Sequence, residues 1–172
     1  MQAPRIAPLD APYAPGIQQA FDRVMPPGME PLGLFRTLAH SPRVLQRLFA
    51  GNLLDSGTIT LRERELIILR TCARCGCDYE WGVHKALFAR AAELSAADIA
   101  ATQAAASTEL LLRVVDDLHD SASISDATWR ELASSHQPDQ ILEIIALTGY
   151  YHTISFIANA MRVAPEPFTQ AV

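Results

Sequence analysis

The segment 60–90, TLRERELIILRTCARCGCDYEWGVHKALFAR, constrains this chain more than any other. Gly76 interrupts an otherwise helical pattern, so the segment reads as two helices joined by a tight turn. Thr60-Leu61-Arg62-Glu63 is a capping-box pattern that starts the first of them. Along that helix Leu61, Ile68, Leu69 and Cys72 fall on one side, and Leu66 and Ile67 widen the stripe. Glu65 precedes Ile68 and Leu69 by one turn and therefore lies at the stripe itself, whereas Arg62 and Arg64 are expected to face solvent. A carboxylate at an apolar stripe is costly unless it is paired or protonated. Glu65 is thus either a structural partner of a neighbour such as Arg70 or part of a site.

On the second helix, Cys77, Glu80, Trp81 and His84 recur at helical spacing and share one face. Glu80 and His84 stand one turn apart, close enough for a carboxylate to orient an imidazole for proton transfer. The competing reading is a satisfied core histidine packed by Trp81 and Phe88. Cys77 sits at the mouth of this helix, where the dipole favours a thiolate, but Asp78 and Glu80 oppose that and predict a poor nucleophile.

The cysteines, Cys72, Cys75 and Cys77, are too close together for a disulfide framework and point to a reducing cytoplasm. Cys72-Ala73-Arg74-Cys75 is a CxxC at the end of a helix rather than its start, the wrong place for thioredoxin-like chemistry. A zinc set of Cys72, Cys75, Cys77 and His84 matches no common spacing, so no metal is expected there, and small buried apolar residues are the remaining reading. A net charge of -5 with no basic cluster excludes an electrostatic footprint for nucleic acid or an anionic membrane. Ile141 to Val163 is the most apolar long stretch, yet Glu143, His152, Asn159 and Arg162 mark it as a buried helix rather than a span. No signal-peptide pattern is expected in 1–30.

Elsewhere the chain reads as scaffold. Residues 1–29 are a proline-spaced arm (Pro4, Pro8, Pro12, Pro15) with a first short helix near 16–25, and 30–172 form a single helical domain. Further helices are predicted near 31–39, 42–54, 96–104, 107–120, 126–135 and 138–163, with Ser41, Ser95 and Ser125 as caps and Pro138 opening the last. Strand alternation is absent, so the fold class is all-α, with about eight or nine helices. Gly149 is expected to permit close helix approach, and Tyr150, Tyr151 and His152 follow it, lining a pocket or packing in the core. Helix-end capping accounts for His40, His119 and His136.

These residues carry a family resemblance. Leu61-Arg62-Glu63-Arg64-Glu65, the run Cys77-Asp78-Tyr79-Glu80-Trp81 with His84, and Gly149-Tyr150-Tyr151-His152 resemble the carboxymuconolactone decarboxylase family, whose other branch is the alkylhydroperoxidase D-type (AhpD-like) proteins. The peroxidase branch is known for a Glu, eleven residues, then C-x-x-C-x-x-x-H. On this chain the Glu falls on Glu65, the first Cys on Cys77 and the His on His84, while Glu80 occupies the position of the second, attacking Cys. No disulfide can close within that motif. The resemblance implies an AhpD-like helical bundle assembled as a homo-oligomer, a trimer or hexamer. It implies a small-molecule substrate and no cofactor. It favours acid–base work on a small organic acid or lactone, with His84 moving the proton, Glu80 and Glu65 orienting it, and Tyr79, Trp81, Tyr151 and His152 lining the pocket. The alternatives are a thiol peroxidase using Cys77 and a non-catalytic oligomeric binding protein.

Overall fold

The computed structural model describes residues 3–169. Within them the chain forms nine α-helices and no strand: α1 (Pro15–Val24), α2 (Gly33–Leu38), α3 (Pro42–Ala50), α4 (Leu61–Arg74), α5 (Asp78–Phe88), α6 (Ala96–Gln103), α7 (Leu110–Ser121), α8 (Asp126–Ser135) and α9 (Pro138–Met161). A 3-10 turn, Pro167–Thr169, follows. The all-α expectation and the helix count hold.

α4 is the axis of the molecule. It packs against α5, α6, α7 and α9, and Glu65 through Cys72 are buried without interruption. A helix buried all round cannot be stabilised by an amphipathic stripe alone, so its ends are fixed by explicit chemistry. At its start, Thr60 Oγ1 accepts from the Glu63 N–H while the Glu63 carboxylate accepts from the Thr60 N–H. At its end, Gly76 adopts φ +59°, the Cys77 N–H reaches the Cys72 carbonyl (2.8 Å) and the Gly76 N–H reaches Ala73 (3.1 Å). That pair of bonds is a Schellman closure, and the left-handed residue it needs is the glycine. α5 starts immediately after it, so α4 and α5 form a tight helical hairpin.

α9 lies along this hairpin and buries Ile141, Ile144, Leu147, Tyr151, Ile154 and Ala158. By length and composition it is the one described helix that could cross a membrane, but that stripe is the core of the molecule. Gly149 is on its exposed side, and a Cβ there would meet no atom, so the expected close helix approach is not made at this residue. The proline-spaced arm lies on its own chain. The Arg36 guanidinium holds the Leu9 carbonyl (2.8 Å) and Asp10, His40 donates to the Ala7 carbonyl (2.9 Å), and the Arg5 N–H reaches Met161 (2.9 Å). α3 stops at Ala50 rather than near 54, leaving 51–54 as an irregular turn with Leu53 at φ 53°, and this frees the Leu54 carbonyl for a contact at the site.

Candidate functional site

Counting from the Gly76 turn explains which residues meet. In an antiparallel helix pair, positions at similar distances from the bend face one another, and Glu65 and His84 are such positions. The Glu65 carboxylate lies 2.7 Å from His84 Nδ1, with Glu65 fully buried and His84 3% exposed. α9 closes the other side: Tyr151 Oη is 2.8 Å from His84 Nε2 and its ring stands edge-on to the imidazole. A carboxylate can only accept, so Nδ1 carries the proton and Nε2 carries the lone pair that receives the Tyr151 hydroxyl. Burial, with the charges of Glu80 and Glu65 adding to it, pushes the Tyr151 phenol well above its ordinary value, which keeps it a donor.

The second oxygen of Glu65 is held by Arg64, whose Nε donates at 2.9 Å. Arg64 is not in solvent as its helical position suggests. It also donates to the Leu54 carbonyl (2.7 Å) and lies over the Phe88 ring at 5.5 Å. Arg70, the partner expected for Glu65, turns away to Asp116 instead. The polar chain therefore runs Arg64–Glu65–His84–Tyr151 through direct contacts across three helices.

Glu80 is 5% exposed and its carboxylate stands 3.7 Å from His84 Nε2, beyond hydrogen-bond range. Burial raises its carboxyl above the usual range; the neighbouring His84 opposes that rise and Glu166 adds to it. Next to a satisfied imidazole, then, sits a carboxyl that holds its proton more tightly than a glutamate in water. Cys77 is 1% exposed, and its thiol is pushed up to about 11 by burial, the Glu80 charge adding to it.

The remaining residues singled out in the sequence are engaged elsewhere. The Tyr79 hydroxyl donates to Glu166 and receives the Leu34 N–H at 3.0 Å, tying α5 to α2 and the C-terminal segment. Trp81 donates to Thr102 Oγ1 (3.1 Å) on α6. His152 turns from His84 toward His119. His136 is the C-cap residue of α8, its N–H on the Leu132 carbonyl (2.9 Å), and its ring lies 3.3 Å from Glu63, while His119 stands in the last turn of α7. The zinc set of Cys72, Cys75, Cys77 and His84 does not form, since Cys75 gathers with His119 and His152.

Beside the polar chain lies an open cleft of about 510 Å³, lined by Leu54, Gly57, Ile59, Arg64, Phe88 and Glu143 among others. Two of its walls belong to the site: Arg64 holds Glu65, and the Phe88 ring lies 5.1 Å from the His84 ring. Sequence reasoning missed Arg64, the cleft and the hydrogen bond from Tyr151. Only Tyr151 left a signal, as an aromatic with a polar tip in the middle of an apolar helix.

The architecture is that of AhpD-like proteins. The chain superposes on an AhpD-core, uncharacterized peroxidase-related protein from Ralstonia eutropha (TM-score 0.80, 21% identity, 97% of this chain and 96% of that one). It also superposes on an uncharacterized peroxidase-related protein from Silicibacter sp. (TM-score 0.78, 19% identity, 99% and 98%). A third similar structure is the debrominase Bmp8 in its apo form (TM-score 0.70, 18% identity, 97% and 95%). No curated protein matches the sequence. Residues 41–110, which hold Glu65, Cys77, Glu80 and His84, match the carboxymuconolactone decarboxylase family. The chain is thus similar to the carboxymuconolactone decarboxylase family over that segment and to AhpD-like proteins in fold. Tyr151 lies outside the matched segment.

Proposed function

We propose that this protein is an acid–base enzyme that moves a proton on a small organic acid or lactone, with His84 as the proton-transfer group. The observation that carries the reading is the buried Glu65–His84–Tyr151 chain, with contacts of 2.7 and 2.8 Å. Glu65 fixes the tautomer that leaves Nε2 basic, and Arg64 fixes Glu65. Nε2 accepts a proton from a carbon acid directly or through the Tyr151 hydroxyl. Glu80, whose carboxyl is held above its ordinary value by burial, returns one to the carbanion or enolate. In a decarboxylation the C–C bond breaks, carbon dioxide leaves, its electron pair passes into an adjacent unsaturated carbonyl, and the returned proton ends on carbon. Substrate enters from the cleft by displacement of Phe88, and the walls exclude water from the charge that develops.

The likeness in fold to two peroxidase-related proteins supports a second reading, peroxide reduction at Cys77. It meets a buried thiol with a raised pKa and a carboxyl at the position of the second cysteine. The exposed apolar side chains Leu142 and Phe156 on α9 support assembly into a homo-oligomer.

The test uses wild type and His84→Gln in deuterium oxide with unsaturated lactone acids and β-keto acids. NMR follows deuterium appearing next to the carbonyl and loss of carbon dioxide. Exchange or decarboxylation by wild type, reduced about 100-fold or more in the variant, is expected. Equal rates in both, or no reaction in either, overturns the reading. Peroxide-dependent oxidation of Cys77, seen by mass spectrometry at stoichiometric peroxide, would instead support the thiol mechanism.

A further inference from the structure

Away from this site, three helices bring a cysteine and two histidines together. Cys75 is the C-cap of α4, His119 lies in the last turn of α7, and His152 is in the middle of α9. One ligand atom of each lies within 4.8 Å of the others, and all three residues are half-buried rather than exposed. Among the described residues no other group of His, Cys, Asp and Glu converges this closely. We infer that Cys75, His119 and His152 form a binding site for zinc, with three protein ligands and an open fourth position.

The hydrogen bonds around the cluster fix its chemistry. The Thr148 carbonyl, one turn back on α9, lies 2.9 Å from His152 Nδ1. A carbonyl cannot donate, so Nδ1 carries the proton and the lone pair of His152 is on Nε2, facing His119. This is the arrangement found behind metal-binding histidines, where a backbone oxygen fixes the ring and leaves the other nitrogen free to ligate. His119 Nδ1 stands 2.9 Å from that Nε2 and, with no metal, donates to it. Nitrogens bound to one tetrahedral zinc are about 3.3 Å apart, so an ion enters by parting the rings a few tenths of an ångström. His119 then carries its proton on Nε2, and the Cys75 thiol releases one, so each zinc bound frees about one proton.

The scaffold holds the third ligand as well. Asn159 on α9 donates to the Cys75 carbonyl at 2.9 Å, fixing the end of α4 to the helix that carries His152. Arg74, the nearest cation, is paired with Asp120 and lies 3.5 Å from Asp116, so its charge is met before a metal arrives. Sulfur with two imidazoles suits zinc better than a hard cation such as magnesium or calcium. The site joins the ends of α4 and α7 to α9 beside Tyr151, and a bound ion would lock α9 in the rotation that places Tyr151 on His84. It stands without the acid–base reading, because none of its ligands belongs to that chain.

The experiment uses tag-free, chelator-treated protein titrated with zinc by calorimetry and with cobalt by absorption. Wild type is expected to bind one ion per chain and to show a thiolate-to-cobalt charge-transfer band with the intense visible bands of a tetrahedral centre. Cys75→Ser should abolish the charge-transfer band. His119→Ala and Cys75→Ser should each weaken zinc binding by about 100-fold or more, whereas Cys77→Ser should leave it unchanged. The thermal midpoint should rise with zinc in wild type and not in His119→Ala. Absence of the thiolate band in wild type, or zinc binding that persists in Cys75→Ser and His119→Ala, overturns the site. The wild-type cobalt spectrum decides the matter even if a variant folds poorly.

Discussion

α4 buries charge on two sides and treats it in opposite ways. On the side facing α6 and α7, Arg70 is 1% exposed and each of its three guanidinium nitrogens is hydrogen-bonded. It makes a two-pronged pair with Asp116 (2.8 and 2.7 Å) and donates to the Thr102 and Ala104 carbonyls at 3.0 and 2.6 Å. On the side facing α5 and α9, Glu65 and His84 are equally dry, but the polar chain ends beside Glu80, whose carboxyl stands just out of hydrogen-bond range. Saturated burial fixes a structure, since nothing is left to exchange. A buried chain with one loosely held member has a proton to give and a place to receive one. The difference teaches that burial of charge alone does not mark a site; the incomplete pairing does.

That contrast can be broken from either end. Arg70→Met strands the Asp116 carboxylate and two carbonyls, and the loss should be the largest, about 3–5 kcal/mol, read from urea unfolding. A loss below about 1 kcal/mol would place Arg70 with the weak surface pairs. Glu65→Gln keeps the shape but presents an amide to two donors, Arg64 and His84 Nδ1, so one contact must fail. The cost is about 1–3 kcal/mol, and the His84 tautomer, read by nitrogen-15 shifts, should no longer be uniform.

Glu80→Gln should cost least, because the wild-type carboxyl has little bonding to lose. Its effect is on pH dependence. The folded-state pKa of Glu80 is raised, so its contribution is fully present below the ordinary carboxylate value, about 4.3, and is lost as pH rises through the raised value. Wild type should therefore lose stability over that interval relative to Glu80→Gln, and the two unfolding curves should converge in acid. A Glu80→Gln variant less stable than wild type at neutral pH would mean that this side of α4 is as saturated as the other.

The helix starts were legible because capping chemistry is local. Thr60, Ser95 and Ser125 accept from the N–H groups three residues on, as their spacing implies. Gly76 announced the hairpin for the same reason. Two other helix ends were not legible: α7 and α9 stop at Ala122 and Arg162, non-glycine residues with φ of 56° and 55°. Nothing in either side chain asks for a left-handed conformation, and packing imposes it. Within the site, the shared face of Glu80 and His84 followed from spacing. The grip of Arg64 on Glu65 did not, because adjacent residues on a helix do not face each other, and only a long side chain curling back can join them. The pairing of His119 with His152 depends on how α7 meets α9, which no periodicity in either helix records.

The Schellman closure at Gly76 has a consequence for how this chain can change. Glu65 and His84 meet because each stands a fixed number of residues from one bend. Inserting or deleting a single residue between them would swing one about 100° around its helix and shift it about 1.5 Å along. Every helix would still form, and the pair would miss. The hairpin can absorb many substitutions of type, but almost no change of length, whereas the outer loops and the arm are free to grow or shrink.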